Sequence, residues 1–106
     1  ICLESILEES RALVKEKIKA TGKTFIEISY DQMNAFAGNM LEVRNTKGDA
    51  IIIMSKTAQN ALDKNQLAIV SKNAQIVIPE IPSIEIIGGG SVRCMLCEIF
   101  LEPLFQ

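Results

Sequence analysis

The sequence predicts an α/β fold, because stretches with apolar residues at helical spacing alternate with short β-branched stretches, and capping or turn residues separate them. Size and composition agree. The 106 residues, 48% of them hydrophobic and 23% charged, make one domain or part of one, with enough apolar side chains for a core and none of the low-hydrophobicity signature of disorder.

Each element follows from its own residues. Leu3, Ile6, Leu7, Leu13, Val14 and Ile18 recur at helical spacing, with Glu4, Glu8 and Glu9 early and Lys15, Lys17 and Lys19 late, which predicts a helix over about Glu4 to Ala20. Gly22 suits the left-handed residue that ends it. Thr24 to Ser29 has the β-branched and aromatic content of a short strand. Ser29 followed by Gln32 reads as a capping box for a short helical turn, Tyr30 to Ala37, broken at Gly38. Met40 to Arg44 alternates at period two, Asn45 to Asp49 is turn chemistry, and Ala50 to Met54 is a continuous apolar run. The pattern predicts a hairpin with one strand buried on both faces. Ser55 can cap a helix over Lys56 to Leu62, and Asp63 with Gln66 a second one ending near Asn73. Gln75 to Ile78 is the next strand, stopped by Pro79. Pro82 and Ser83 start a helical turn through Ile87, three glycines follow, and Arg93 to Leu101 reads as a last strand.

Charge and composition exclude several functions. Eleven Lys and Arg against thirteen Asp and Glu give a net charge of −2, interspersed along the chain, so no basic stripe is present to meet a phosphate backbone. This argues against a nucleic-acid partner. The longest apolar runs, Ala50 to Met54 and Cys94 to Leu101, are far shorter than the roughly 20 residues of a membrane-spanning helix. The first residues do not follow the pattern of a secretion signal and do not begin with Met, so the start reads as internal. Three Cys are not a disulfide framework, and reduced thiols in the cytoplasm are expected.

The most unusual segment is Gly88-Gly89-Gly90-Ser91-Val92-Arg93-Cys94-Met95-Leu96-Cys97. Consecutive glycines weaken an element unless backbone must approach something closely. One reading is a flexible turn before a strand. The other is an active-site loop presenting Cys94, where the Arg93 guanidinium and loop N–H groups favour the thiolate and Ser91 donates a hydrogen bond. The glycines are not a P-loop, which would need Gly-Lys-Ser/Thr, nor a phosphatase loop, since Arg93 precedes the Cys. The C-x-x-C pair Cys94 and Cys97 suggests a redox pair or half a metal site, but an offset of three on a strand places the side chains on opposite faces. A zinc site also lacks ligands, because the chain has no His. Cys97 is then expected to be a small core residue. A second candidate is Gly38-Asn39 at a helix-to-strand junction, which either presents backbone and amide groups to a ligand or caps a helix with Asn39 in the left-handed conformation. No metal or other cofactor is called for by these residues.

Phe36 to Asn45, reading FAGNMLEVRN, and Ile81 to Leu96, reading IPSIEIIGGGSVRCML, together with Ile1 to Ile6 and Glu27 to Ser29, resemble the C-terminal part of the amidinotransferase and arginine deiminase-related family. Within that family the likeness points to the citrulline-utilisation hydrolase branch. The resemblance implies a pentein fold, an α/β propeller of repeated αββαβ modules around a central active site, of which residues 1–106 would be a single C-terminal portion. It implies a small guanidino or ureido substrate, arginine- or citrulline-like. A Cys attacks the central carbon of that group, and water hydrolyses the covalent intermediate. Cys94 matches the nucleophile, and Asn39, Gly38, Arg93 and Ser91 are the candidate substrate-binding residues. The family's general acid and base is a His, and this chain has none. The expected partner is therefore the N-terminal remainder of the same domain, without which the chain would be inactive, and a homo-oligomer is possible. Cys97 replaces the small residue, usually Ala, that the family pattern carries. A competing function is a non-catalytic remnant or interaction module that uses exposed strand edges.

Overall fold

A three-stranded sheet in the order β1-β2-β3 forms the centre of the computed structural model, which describes residues 1–100. β1 (Leu41–Arg44) runs antiparallel to β2 (Ala50–Ile53), with Leu41 opposite Ile53 and Arg44 opposite Ala50. The register follows from the turn. Asn45 Oδ1 accepts the Lys47 and Asp49 N–H groups, each at 2.9 Å, and Gly48 at φ 87° closes the reversal with its N–H on the Asn45 carbonyl. β3 (Gln75–Val77) pairs parallel with β2, Ile52 opposite Ile76. β2 is half-buried along its whole length, not buried on both faces as its apolar run predicts.

Between β2 and β3 lie α3 (Lys56–Ala61) and α4 (Lys64–Asn73), and α2 (Tyr30–Asn34) precedes β1. Residues 30–77 thus follow the order helix, strand, strand, helices, strand. All three helices start where the sequence places a cap. Ser55 Oγ accepts the Ala58 N–H at 3.1 Å, and both Ser29 with Gln32 and Asp63 with Gln66 form complete capping boxes. The boxes also clasp each other: Gln32 Nε2 donates to Gln66 Oε1 at 2.7 Å and Gln66 Nε2 donates to Gln32 Oε1 at 3.1 Å. Under this clasp Cys2, Ile28, Ala37, Met54, Ala58 and Leu62 form the core, with Met54 and Ala58 fully buried.

Three expected elements differ. The first helix is split into a 3-10 turn at Leu3–Ser5 and α1 (Glu8–Ala20), because Cys2 and Leu3 are buried while α1 has no buried residue, so the chain must turn between them. Arg11 holds the break, its Nε donating to the Ile6 carbonyl at 3.0 Å. Thr24 to Ser29 is not a strand of the sheet. Its backbone bonds Ile1, whose ammonium donates to the Ile26 carbonyl at 2.7 Å and whose carbonyl accepts the Ile28 N–H at 2.9 Å, and Gln66 Nε2 donates to the Glu27 carbonyl at 2.7 Å.

The third difference is the predicted strand Arg93 to Leu101. Val92–Met95 is instead the one-turn helix α5, residues 96–100 have no regular structure, and Leu101 lies outside the described residues. The Arg93 N–H that a strand would use is taken by Asn39 Oδ1 at 2.9 Å, and the Cys94 N–H bonds the Ser91 carbonyl at 3.0 Å. Before it, Ile84–Gly88 forms a π-helical turn that ends at Gly89, whose φ of 66° is in the left-handed region. Several apolar side chains of this segment face outward: Ile86 is 83%, Ile87 86% and Phe100 90% exposed. No helix of the described residues is long and apolar enough to cross a membrane.

Candidate active site around Cys94

Two glycines of the Gly88–Cys94 loop are needed, for different reasons. Gly89 supplies the left-handed residue that stops the π turn. At Gly90 the limit is space, since a Cβ there would lie 3.0 Å from Cys94 Cβ and 3.1 Å from its Sγ. A Cβ on Gly88 would meet only Ile84 Cγ2, at an ordinary 3.9 Å. The loop backbone therefore folds directly against the thiol.

Asn39, 55 residues away in sequence, closes the arrangement. Its Nδ2 donates to Cys94 Sγ at 3.0 Å while its Oδ1 accepts the Arg93 N–H, so one amide side chain both orients α5 and bonds the sulfur. Cys94 is exposed, and its thiol is held below the ordinary value by the Asn39 hydrogen bond first and by the Ser91 backbone second. A thiolate so placed is a nucleophile open to a small molecule.

Asn39 is itself set by strain. Phe36 has φ 63°, in the left-handed region that bulky side chains rarely adopt, and its carbonyl accepts the Asn39 N–H at 2.8 Å. The left-handed residue expected at Asn39 is thus Phe36, whose ring packs against the core and holds the conformation. Gly38 has neither a positive φ nor a crowded Cβ position, the nearest atom being Ile28 Cδ1 at 3.6 Å.

Two expected contacts are redistributed. The Ser91 hydroxyl does not donate to Cys94; it donates to Glu85 Oε1 at 2.6 Å, and the help to the thiolate comes from the Ser91 backbone. Arg93 contributes its main-chain N–H to Asn39, and its guanidinium is not among the causes that lower the thiol. Cys97 is exposed, not a core residue, and the face argument against pairing it with Cys94 lapses because Cys94 stands on a helical turn. All three Cys are free thiols. Among the described residues no three His, Cys, Asp or Glu side chains cluster as metal ligands.

Sequence reasoning missed Glu85, which is 6% exposed and also accepts from Thr57 Oγ1 at 2.6 Å. Burial raises its carboxyl, but hydrogen bonds from Ser55, Ser91 and Thr57 outweigh it and hold the group below its ordinary value. The available signal was the run Ile84-Glu85-Ile86-Ile87, a lone acid inside an apolar stretch. A cavity of about 560 Å³ is bounded by Gly22, Met40, Ile52 and Val70, and neither Cys94 nor Asn39 lines it. Where the two meet, Cys94 is exposed and Asn39 half-buried.

No curated protein and no solved structure matches the chain. The family described as N,N dimethylarginine dimethylhydrolase, eukaryotic, matches over residues 1–101, which includes the whole Cys94 loop. This agrees with the guanidino-modifying hydrolases that the sequence resembles, at a broader level than the citrulline-utilisation branch. With nearly its full length matched, the chain belongs to the dimethylarginine dimethylhydrolase family, a group of guanidino-modifying hydrolases.

Proposed function

We propose that this chain is the nucleophile-bearing part of a hydrolase that cleaves a C–N bond of a small guanidino or ureido compound through Cys94. The carrying observation is the 3.0 Å hydrogen bond from Asn39 Nδ2 to Cys94 Sγ on an exposed turn, which stabilises the thiolate without covering it. The family's printed name makes an N-methylated arginine the first substrate to test and a citrulline-like compound the second. The thiolate adds to the central carbon of the group, and the tetrahedral adduct collapses with loss of an amine that takes a proton from an acid. Water then adds to the same carbon, the C–S bond breaks, and the thiolate returns with a urea or a further hydrolysed product.

Both proton transfers need an acid and a base, and no His exists in the chain to supply them. They come from the N-terminal remainder of the same catalytic domain, which also completes a propeller of αββαβ modules. The element order over residues 30–77 supports such a module, and the exposed Leu7, Ile86, Ile87 and Phe100 supply surface for a partner to cover. Three free thiols fit a cytoplasmic setting.

Mixing the chain with the N-terminal part of a related protein tests the reading by amine or ammonia release. Release should require both pieces and fall by at least about a thousandfold in Cys94→Ala. Turnover by the chain alone at an ordinary enzyme rate would show that another group replaces His. No release with any guanidino or ureido compound, in a mixture that forms a stable complex, would favour a non-catalytic interaction module.

A further inference from the structure

We propose that Glu85 is a positioning residue for Cys94, holding Ser91 and through it the turn that presents the thiol; this rests on the reading of Cys94 as the reacting group. Glu85 and Ser91 are buried while the neighbours Ile84, Ile86 and Ile87 are exposed, the reverse of what side-chain polarity alone favours. A buried carboxylate is costly unless it is fully hydrogen-bonded, and among the described residues the ion pairs are Lys15–Glu27 and Arg44–Glu42, neither of which includes Glu85. Hydroxyls satisfy it instead. Thr57 and Ser91 each donate at 2.6 Å, and the Ser55 hydroxyl, whose oxygen caps α3, is a further influence that lowers the same carboxyl.

This polar cluster joins two parts of the chain. Ser55 and Thr57 stand at the start of α3, against the core, while Ser91 begins the Cys94 turn. The Ser91 carbonyl accepts the Cys94 N–H at 3.0 Å, and the Ser91 backbone is the second cause that favours the thiolate. Fixing the Ser91 hydroxyl therefore fixes the residue whose carbonyl holds the Cys94 N–H, and keeps the thiol where Asn39 reaches it. The groups around the sulfur are Asn39 and the Ser91 backbone, with Arg93 adjacent in sequence; the groups on Glu85 are the three hydroxyls. Glu85 thus acts through hydrogen-bond geometry. Its negative charge by itself would oppose the thiolate.

The test measures iodoacetamide alkylation of the intact chain against pH, with peptide mapping to isolate the Cys94 signal, for wild type, Glu85→Gln, Ser91→Ala and Asn39→Ala. Gln keeps the size of Glu85, and Ser91→Ala leaves Glu85 bonded to Thr57, so Ser91→Ala decides the matter if Glu85→Gln does not fold. Wild-type Cys94 should react with a midpoint below the ordinary thiol value of 9.0. Glu85→Gln and Ser91→Ala should each raise that midpoint and slow alkylation near neutral pH about fivefold to tenfold, in the same direction as Asn39→Ala. Folded variants with the wild-type midpoint would overturn the proposal and leave Glu85 a structural residue. A wild-type midpoint at the ordinary thiol value would instead overturn the reading of Cys94 itself.

Discussion

Between Ser29 and Val77 each helix starts on a side chain that accepts an N–H from its own first turn, whereas neither the π turn at Ile84–Gly88 nor α5 has a side-chain cap. The helix starts of the first region are fixed by local bonds three residues apart, and its longer bonds, the Gln32–Gln66 clasp and the β2–β3 pairing, join elements already begun in this way. The second is held from a distance, by Asn39 on α5 and by Thr57 on Glu85. A helix start fixed by local bonds depends on its own few residues. A region made of distant bonds is correct only once the rest has folded, which suits a site whose thiol must be placed against an amide from elsewhere.

Substitutions break this contrast in order of size. Met54 is fully buried in the core, so Met54→Ala should cost about 2–5 kcal/mol and unfold both regions together in a thermal melt. A melt with two transitions would mean that the Cys94 segment is stable without the sheet. Glu85→Ala leaves the Thr57 and Ser91 hydroxyls without their acceptor and should cost about 2–3 kcal/mol, read from denaturant titration.

Acid separates the regions further. Because the folded Glu85 carboxyl is held below its ordinary value of 4.5, it contributes stability that is present above that value and is lost as pH falls through the folded one. The stability gap between wild type and Glu85→Gln should therefore be full above pH 4.5 and close as pH falls below it. Parallel curves would remove the carboxylate from the account.

Smaller effects sharpen the comparison within each region. Gly90→Ala should slow Cys94 alkylation about tenfold with little loss of stability, since the new methyl would press on Cys94 Cβ at 3.0 Å. Gly88→Ala, with nothing closer than 3.9 Å, should alter neither reading, and an equal effect at both positions would show the loop to be merely flexible. In the capped region Asp63→Ala should cost about 1 kcal/mol through the lost bond to Gln66 and leave alkylation of Cys94 unchanged.

The order of elements from Ser29 to Val77, the hairpin turn at Asn45–Asp49 and the caps at Ser29, Ser55 and Asp63 were determined by the sequence alone, because each depends on neighbours within a few residues. The loop at Cys94 and the interest of Asn39 were legible too, through glycines with no local use and through resemblance to a family. Only the tertiary structure decided that the start of the predicted strand Arg93 to Leu101 forms a helical turn, since Asn39 captures the Arg93 N–H. It also decided that Ser91 bonds Glu85, that Phe36 takes the left-handed position, and that Cys97 faces outward. Propensity and spacing report a residue's near neighbours in the chain; a hydrogen bond across 55 residues leaves no period to read, and it outweighs a weak local preference.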